Sequence, residues 1–317
     1  MNSRALGSAR VSVVGLGAMP LAIAGRPSEA EAIRVVHAAL DAGMDWIDTA
    51  DAYCVDSADT GYGERVVARA LRERGGHRDE VRVATKGGIV RPGGEWQPDG
   101  RPEHLRAACD ASLKSLGVSS IFLYQLHCPD PKVYFPDSVG AIAELQREGK
   151  VQHVGLSNVD VAHIRQARKI VSVAAVQNRC NVFERSPLAS GVVDACERDG
   201  IAFIAHSPVG GHRGHVRVTS DATLGAVAGR LGLSPYQVAI AWLLARSPAI
   251  VVIPGASRVE SARSSAAAGD AVLSTADLHE IDRAFPEPSA IARRLGAAGR
   301  EARHWVRSLR QRTSGGR

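Results

Sequence analysis

Cysteine is scarce and unpatterned in this chain. Cys54, Cys109, Cys128, Cys180 and Cys196 are the five present. They form no C-x-x-C pair and no other metal-ligand spacing, so no metal site is expected. Their odd number argues against a disulfide framework and suits a reducing compartment. Long apolar runs are also missing. None approaches the ~18 residues of a membrane-spanning helix, and Met1 to Arg10 carries no apolar leader segment. The expectation is a soluble cytoplasmic protein without a membrane partner. A third absence concerns the run V-S-V-V-G-L-G-A-M at 11–19: Gly15 and Gly17 begin a G-x-G-x-x-G pattern, but Pro20 stands where the last glycine belongs. No amphipathic helix opens there either, so a dinucleotide fingerprint is not supported. A tight glycine turn lining a floor or rim is the reading for this stretch.

Net charge is absent from the body of the chain. The formal charge is +6, and residues 286–317 hold eight arginines against Glu287 and Glu301, which leaves 31 basic and 31 acidic residues in 1–285. The pI near 9.3 therefore describes a tail. Its only aromatic residue is Trp305, too few to interleave bases, so the tail reads as a solvated, partly helical segment and no nucleic-acid partner is expected.

What is present is alternation. Residues 28–42 have helical spacing, with Ser28 able to cap and Gly43 to stop the helix. Further helices are expected near 63–74, 102–116, 137–148, 188–198, 221–231 and 234–246, and another before Lys169. Between them lie short apolar runs ending at Asp48, Lys86, His127, Leu156, Val176, Ala205 and Ile253. Strands that are apolar throughout and separated by helices make a parallel sheet covered on both faces. Seven strands are evident, and the eighth is expected between Phe203 and Ile250 or as a partly irregular stretch. Each run is followed by polar, ionisable or glycine-rich residues, which suits an α/β fold of the (β/α)₈ TIM-barrel type better than an open doubly wound sheet with one switch point. The predicted architecture is one barrel domain over 1–285, opened by a short β-hairpin-like segment and followed by the basic tail 286–317.

Three successive strand-like runs end in groups that packing does not require. W-I-D-T-A-D-A-Y places Asp48 at a strand end and Tyr53 five residues on; the next run ends in Lys86, and the one after in His127. Alone, each is an ordinary cap or rim residue. Together they form a proton-transfer device. A phenol with pKa near 10 is a poor donor at neutral pH until a lysine beside it favours the phenolate, and a carboxylate keeps that lysine charged. A histidine can then hold or polarise a carbonyl oxygen.

These segments, with G-E-R-V-V-A-R-A-L (63–71), V-A-T-K-G-G (83–88), L-Y-Q-L-H (123–127), G-K-V-Q-H-V-G-L-S-N (149–158), V-Q-N (176–178), H-S-P (206–208) and I-P-G-A-S (253–257), resemble the aldo-keto reductases from about Val11 to Phe285. The resemblance implies a barrel that binds NADPH (NADP+) in extended form and reduces an aldehyde or ketone. Asp48, Tyr53, Lys86 and His127 match the catalytic tetrad, with Tyr53 as general acid. Ser157, Asn158 and Gln177 match the nicotinamide site, and Ser207, Val209 and Gly210 the loop near the pyrophosphate. Gly255, Ser257 and Arg258 match the segment at the adenosine 2′-phosphate, with Ser261, Ser264 and Ser265 beside it. The family often has Glu-Asn where Ser264-Ser265 stand and Arg or Lys near Ser261, so preference for NADPH over NADH rests on Arg258, helped by Arg263. Trp96 is expected as a wall of the substrate pocket. The tail would fold over the mouth, its arginines favouring an anionic substrate. Alternatives are a cofactor-binding regulatory protein on the same scaffold, or an enzyme that reduces a C=N or conjugated bond or oxidises an alcohol.

Overall fold

Eight short strands run parallel in one ring in the computed structural model, which describes residues 1–75 and 80–286, the side chains of 212 and 213 apart. The barrel strands are β1 (Leu16–Gly17), β2 (Trp46–Asp48), β3 (Arg82–Gly87), β4 (Ile121–Leu126), β5 (Val151–Ser157), β6 (Val173–Arg179), β7 (Ala202–His206) and β8 (Ile250–Ile253). Each pairs with its sequence neighbour. Parallel bridges Val14↔Val252 and Gly17↔Gly255 join the first strand to the last and close the ring.

The eighth strand is β1, and does not lie between Phe203 and Ile250. That interval is occupied by the helices Gly211–Gly214, Val216–Ser220, Ala222–Leu231 and Pro235–Leu244. The glycines that made 11–19 look like a turn are demanded by closure. A Cβ on Gly15 would stand 2.3 Å from the Trp46 ring, and one on Gly17 2.8 Å from the Ile253 carbonyl oxygen. A two-residue strand that ends in one glycine and is preceded by another gives almost no apolar periodicity to read.

The outer helices follow local chemistry. Ser28 caps the helix Glu29–Asp41 in a capping box with Glu31. Pro102 opens Pro102–Leu116, and Gly117, left-handed at φ 64°, ends it. The helix predicted from 137 begins earlier, at Phe135, with Pro136 in its first turn. The floor of the barrel is sealed by the antiparallel hairpin Ser3–Leu6 and Ala9–Ser12. Leu6 and Val11 from it join Trp46, Ala84, Leu123, Ala175, Ile204 and Val251 in an inner apolar layer. Arg4 ties the hairpin to the far side, donating to the carbonyls of Leu244, Ser247 and Ile250.

No helix among the described residues is long and apolar enough to cross a membrane. The basic tail from 287 onward, and its expected place over the mouth, lie outside the described residues.

Candidate active site

Side chains on a barrel strand alternate in and out, so two residues beyond an apolar inward position comes the next inward position. One step up from Trp46, Ala84, Leu123, Ala175 and Ile204 stand Asp48, Lys86, Gln125, Gln177 and His206. The apolar layer is therefore roofed by a polar one at the C-terminal ends of the strands, where barrel sites are built.

Lys86 is the centre of that layer and is 0% exposed. Its ammonium donates to Asp48 Oδ1, to the Thr49 carbonyl at 2.9 Å and to the Tyr53 hydroxyl at 3.0 Å. Three donors meet three acceptors, which a buried ammonium requires. The second oxygen of Asp48 accepts from Gln125 Nε2 at 3.1 Å and Gln177 Nε2 at 2.8 Å, and Gln177 also donates to Gln125 Oε1. Asp48 is thus held from both sides. Burial works against the Lys86 charge, yet Asp48 and then Tyr53 outweigh it, so the lysine pKa is raised. Lys86 stays an ammonium throughout the neutral range.

Tyr53 and His127 are buried polar rings at the same spot. The rings lie 5.8 Å apart, edge to face. Burial raises the Tyr53 pKa and is opposed chiefly by Lys86; the phenol keeps its proton at neutral pH. Burial, then the charge of Lys86, then His206 push His127 well below its ordinary value. It is a neutral imidazole, able to donate one hydrogen bond without carrying charge. Its Nδ1 is buried without a partner. Trp96 completes a triangle, 6.2 Å from Tyr53 and 6.3 Å from His127, and is 45% exposed. Tyr53 and His127 are each 7% exposed, so Trp96 is the solvent-facing ring of the three. The stretch after Lys86 is itself ordered as a small antiparallel ribbon, Ile89–Val90 against Gln97–Pro98.

The remaining candidates occupy the other half of the rim. Ser157 ends β5 and Gln177 pairs with it across β6. Asn158 donates to the His127 carbonyl at 3.0 Å and to Ser157 Oγ at 3.1 Å. Asn158 and Ser207 are the only non-glycine residues with positive φ among those described, at 58° and 55°. Such backbone costs of order 1–3 kcal/mol and collects at functional sites. After β7, Gly210 and Gly211 are left-handed (φ 92° and 75°). A Cβ on Gly210 would meet the Gly214 carbonyl at 2.7 Å. Val209 lies half-buried between Ser207 and this turn. After β8, Gly255 lies against Pro20, with room for no Cβ (2.7 Å). Ser257 and Arg258 are exposed, and Arg258 stands at the N-cap position of the helix Val259–Ala267 without a side-chain capping bond; Ser261, Ser264 and Ser265 on that helix are half-buried.

Three residues of the site escaped the sequence reading. Gln125 was readable as the inward neighbour two before His127. His206, pushed to about 3 by burial, Lys86 and Arg179, stands in the same layer and shares a hydrogen bond with Ser207 Oγ at 3.1 Å. Arg91, below, had no sequence signal beyond being a lone cation in a Gly/Pro loop.

The whole arrangement, a buried Lys–Asp pair aimed at a phenol with a neutral histidine beside it, occurs on a scaffold with known relatives. The model of the Aldo/keto reductase family matches residues 13–285. Pyridoxine 4-dehydrogenase of Escherichia coli K12 is 36% identical over 293 residues, covering 89% of this chain and 97% of that protein. An uncharacterized oxidoreductase of Schizosaccharomyces pombe is 36% identical over 282 residues, 87% of this chain and 88% of that one. Among solved structures, an aldo/keto reductase from Klebsiella pneumoniae in complex with NADP and acetate superposes with TM-score 0.76 at 25% identity, over 90% of this chain and 96% of that chain. Barrel, rim and sequence agree, and the chain belongs to the aldo/keto reductase family.

Proposed function

We propose that this protein is an NADPH-dependent carbonyl reductase in which Tyr53 is the general acid. The observation that carries the reading is the Lys86 ammonium bridging Asp48 and the Tyr53 hydroxyl at 3.0 Å. A lysine buried in that way has no packing use, and next to a phenol it stabilises the phenolate left when the proton departs.

The residues present fit the cofactor. Ser157 and Asn158 offer hydroxyl and amide to a carboxamide, and the left-handed Gly210–Gly211 turn lets a pyrophosphate approach the backbone. Arg258, exposed at a helix N-terminus, suits a 2′-phosphate by charge and by its planar fork. Ser257, Ser261, Ser264 and Ser265 supply hydroxyls around it. Bound NADPH supplies the hydride. The protein's share is to orient the carbonyl: the Tyr53 O–H and the neutral His127 ring meet its oxygen, and Trp96 keeps water from that side. As the oxygen gains charge, Tyr53 gives up its proton and Lys86 stabilises the phenolate, while Asp48, held by Gln125 and Gln177, keeps Lys86 in place. In the reverse direction the phenolate takes the proton of an alcohol. The dehydrogenase name of the Escherichia coli relative favours testing that direction, with pyridoxine and pyridoxal as first substrates.

The test is titration with NADPH and with NADH by tryptophan fluorescence, followed by carbonyl-dependent oxidation of the bound cofactor. NADPH should bind the more tightly, and Arg258→Ala should weaken it roughly ten- to a hundredfold while leaving NADH unchanged. Absence of binding by either nucleotide would sink the reading.

A further inference from the structure

Arg91 is 5% exposed, and its guanidinium is spent on backbone. Nη1 donates to the carbonyls of Ala52 (3.2 Å) and Cys54 (2.8 Å), the two residues that flank Tyr53. Nη2 reaches the carbonyls of Val55 (3.2 Å) and Gly94 (2.7 Å), and Nε also meets Gly94 (3.1 Å). The face of the same group lies 3.8 Å from the Trp96 ring centroid. Arg91 and Trp96 sit at the two shoulders of the ribbon after β3. The tip folds back on Arg91 because Gly93 and Gly94 are left-handed, at 57° and 82°.

We propose that Arg91 is a positioning residue that fixes the Tyr53 phenol and the Trp96 wall in a single frame. The inference rests on the reading of Tyr53 as proton donor. The Tyr53 carbonyl accepts from the Gly63 N–H at 3.1 Å and the Ala52 carbonyl also from the Cys54 N–H at 3.0 Å, while Arg91 donates to the carbonyls on both sides of Tyr53; buried carbonyls without donors are costly. A planar fork meets them at once; an ammonium, with its donors on one point, cannot. The cation also holds the indole by its face. Movement of the Arg91 side chain therefore moves both the proton donor and the wall it works against.

The test uses the full chain with Arg91→Lys and Arg91→Ala, beside Tyr53→Phe as a control. Displacing a positioned reacting group costs on the order of a hundredfold in rate. Both variants should lose about that much in kcat, with NADPH affinity unchanged, and millimolar guanidinium should restore Arg91→Ala where ammonium does not. Wild-type kcat in folded Arg91→Lys overturns the proposal. A variant that is merely less stable, with kcat intact below its melting temperature, overturns it too. If the wild type itself turns over no carbonyl, the reductase reading has failed, and Arg91 is judged on the alkaline titration of Tyr53. That titration is read as the absorbance difference between each protein and its Tyr53→Phe form. A midpoint displaced in Arg91→Lys supports the positioning role, and an unchanged midpoint overturns it.

Discussion

Tyr53 and Lys86 are opposed in what burial does to them, and the pH behaviour follows. Burial holds the proton on the phenol, while Asp48 and Tyr53 hold it on the lysine. With Tyr53 as the proposed proton donor, reduction needs it protonated, so kcat for reduction should stay level through neutral pH and fall only in the alkaline range. Oxidation needs the phenolate and should rise as pH increases over the same range. Initial rates in both directions check this; an acid-side optimum for oxidation would contradict it. A second buried acid lies behind the site. Glu64, on the helix Tyr62–Arg74, accepts from Thr85 Oγ1 at 2.6 Å, and burial raises its pKa from 4.5 to about 7. The folded chain then holds more protons than the unfolded one between those values, so stability falls as pH rises through that window. The full effect is roughly 3 kcal/mol by linkage. Glu64→Gln should flatten that part of the profile of denaturant midpoint against pH. An unchanged slope would show that Glu64 is ionised in the folded protein.

The elements differ in how much of them could be read. Helices with capping boxes or terminal Pro and Gly, such as Glu29–Asp41 and Pro102–Leu116, announce themselves because the signal is local. The β2, β3 and β4 strands announce the site because each ends on a group that packing does not want. The β1 strand was hidden: its identity depends on Trp46 and Ile253, residues distant in sequence that leave no room for a Cβ. Gly15→Ala should therefore force the Trp46 ring to move and cost about 1–3 kcal/mol, read as a lower melting temperature. A melting temperature equal to wild type would mean the closure tolerates a side chain. Gln125 was legible in principle from the period-2 alternation, whereas Arg91 was not, because its partners are backbone carbonyls of another loop and carry no residue type.

At the scale of the molecule, the fold is a barrel with two kinds of end. The hairpin and the apolar layer above it close the floor, and the polar layer over both is where the two halves of the rim meet. Strands β2 to β4 bring Asp48, Lys86 and His127, with Tyr53 in the loop after β2; β5 to β8 carry the residues suited to the nucleotide. Gln177 joins the halves through Asp48. The proposed nucleotide binding and proton transfer thus fall on different residues, and Tyr53→Phe separates them most directly. Bound NADPH should be as tight in the variant as in the wild type, while carbonyl-dependent loss of its reduced-nicotinamide absorbance in a single turnover should slow by ~10²–10⁴-fold, the usual worth of a general acid. A variant that binds NADPH and turns over at the wild-type rate would contradict the account, since the Lys86–Tyr53 contact would then serve something other than proton transfer.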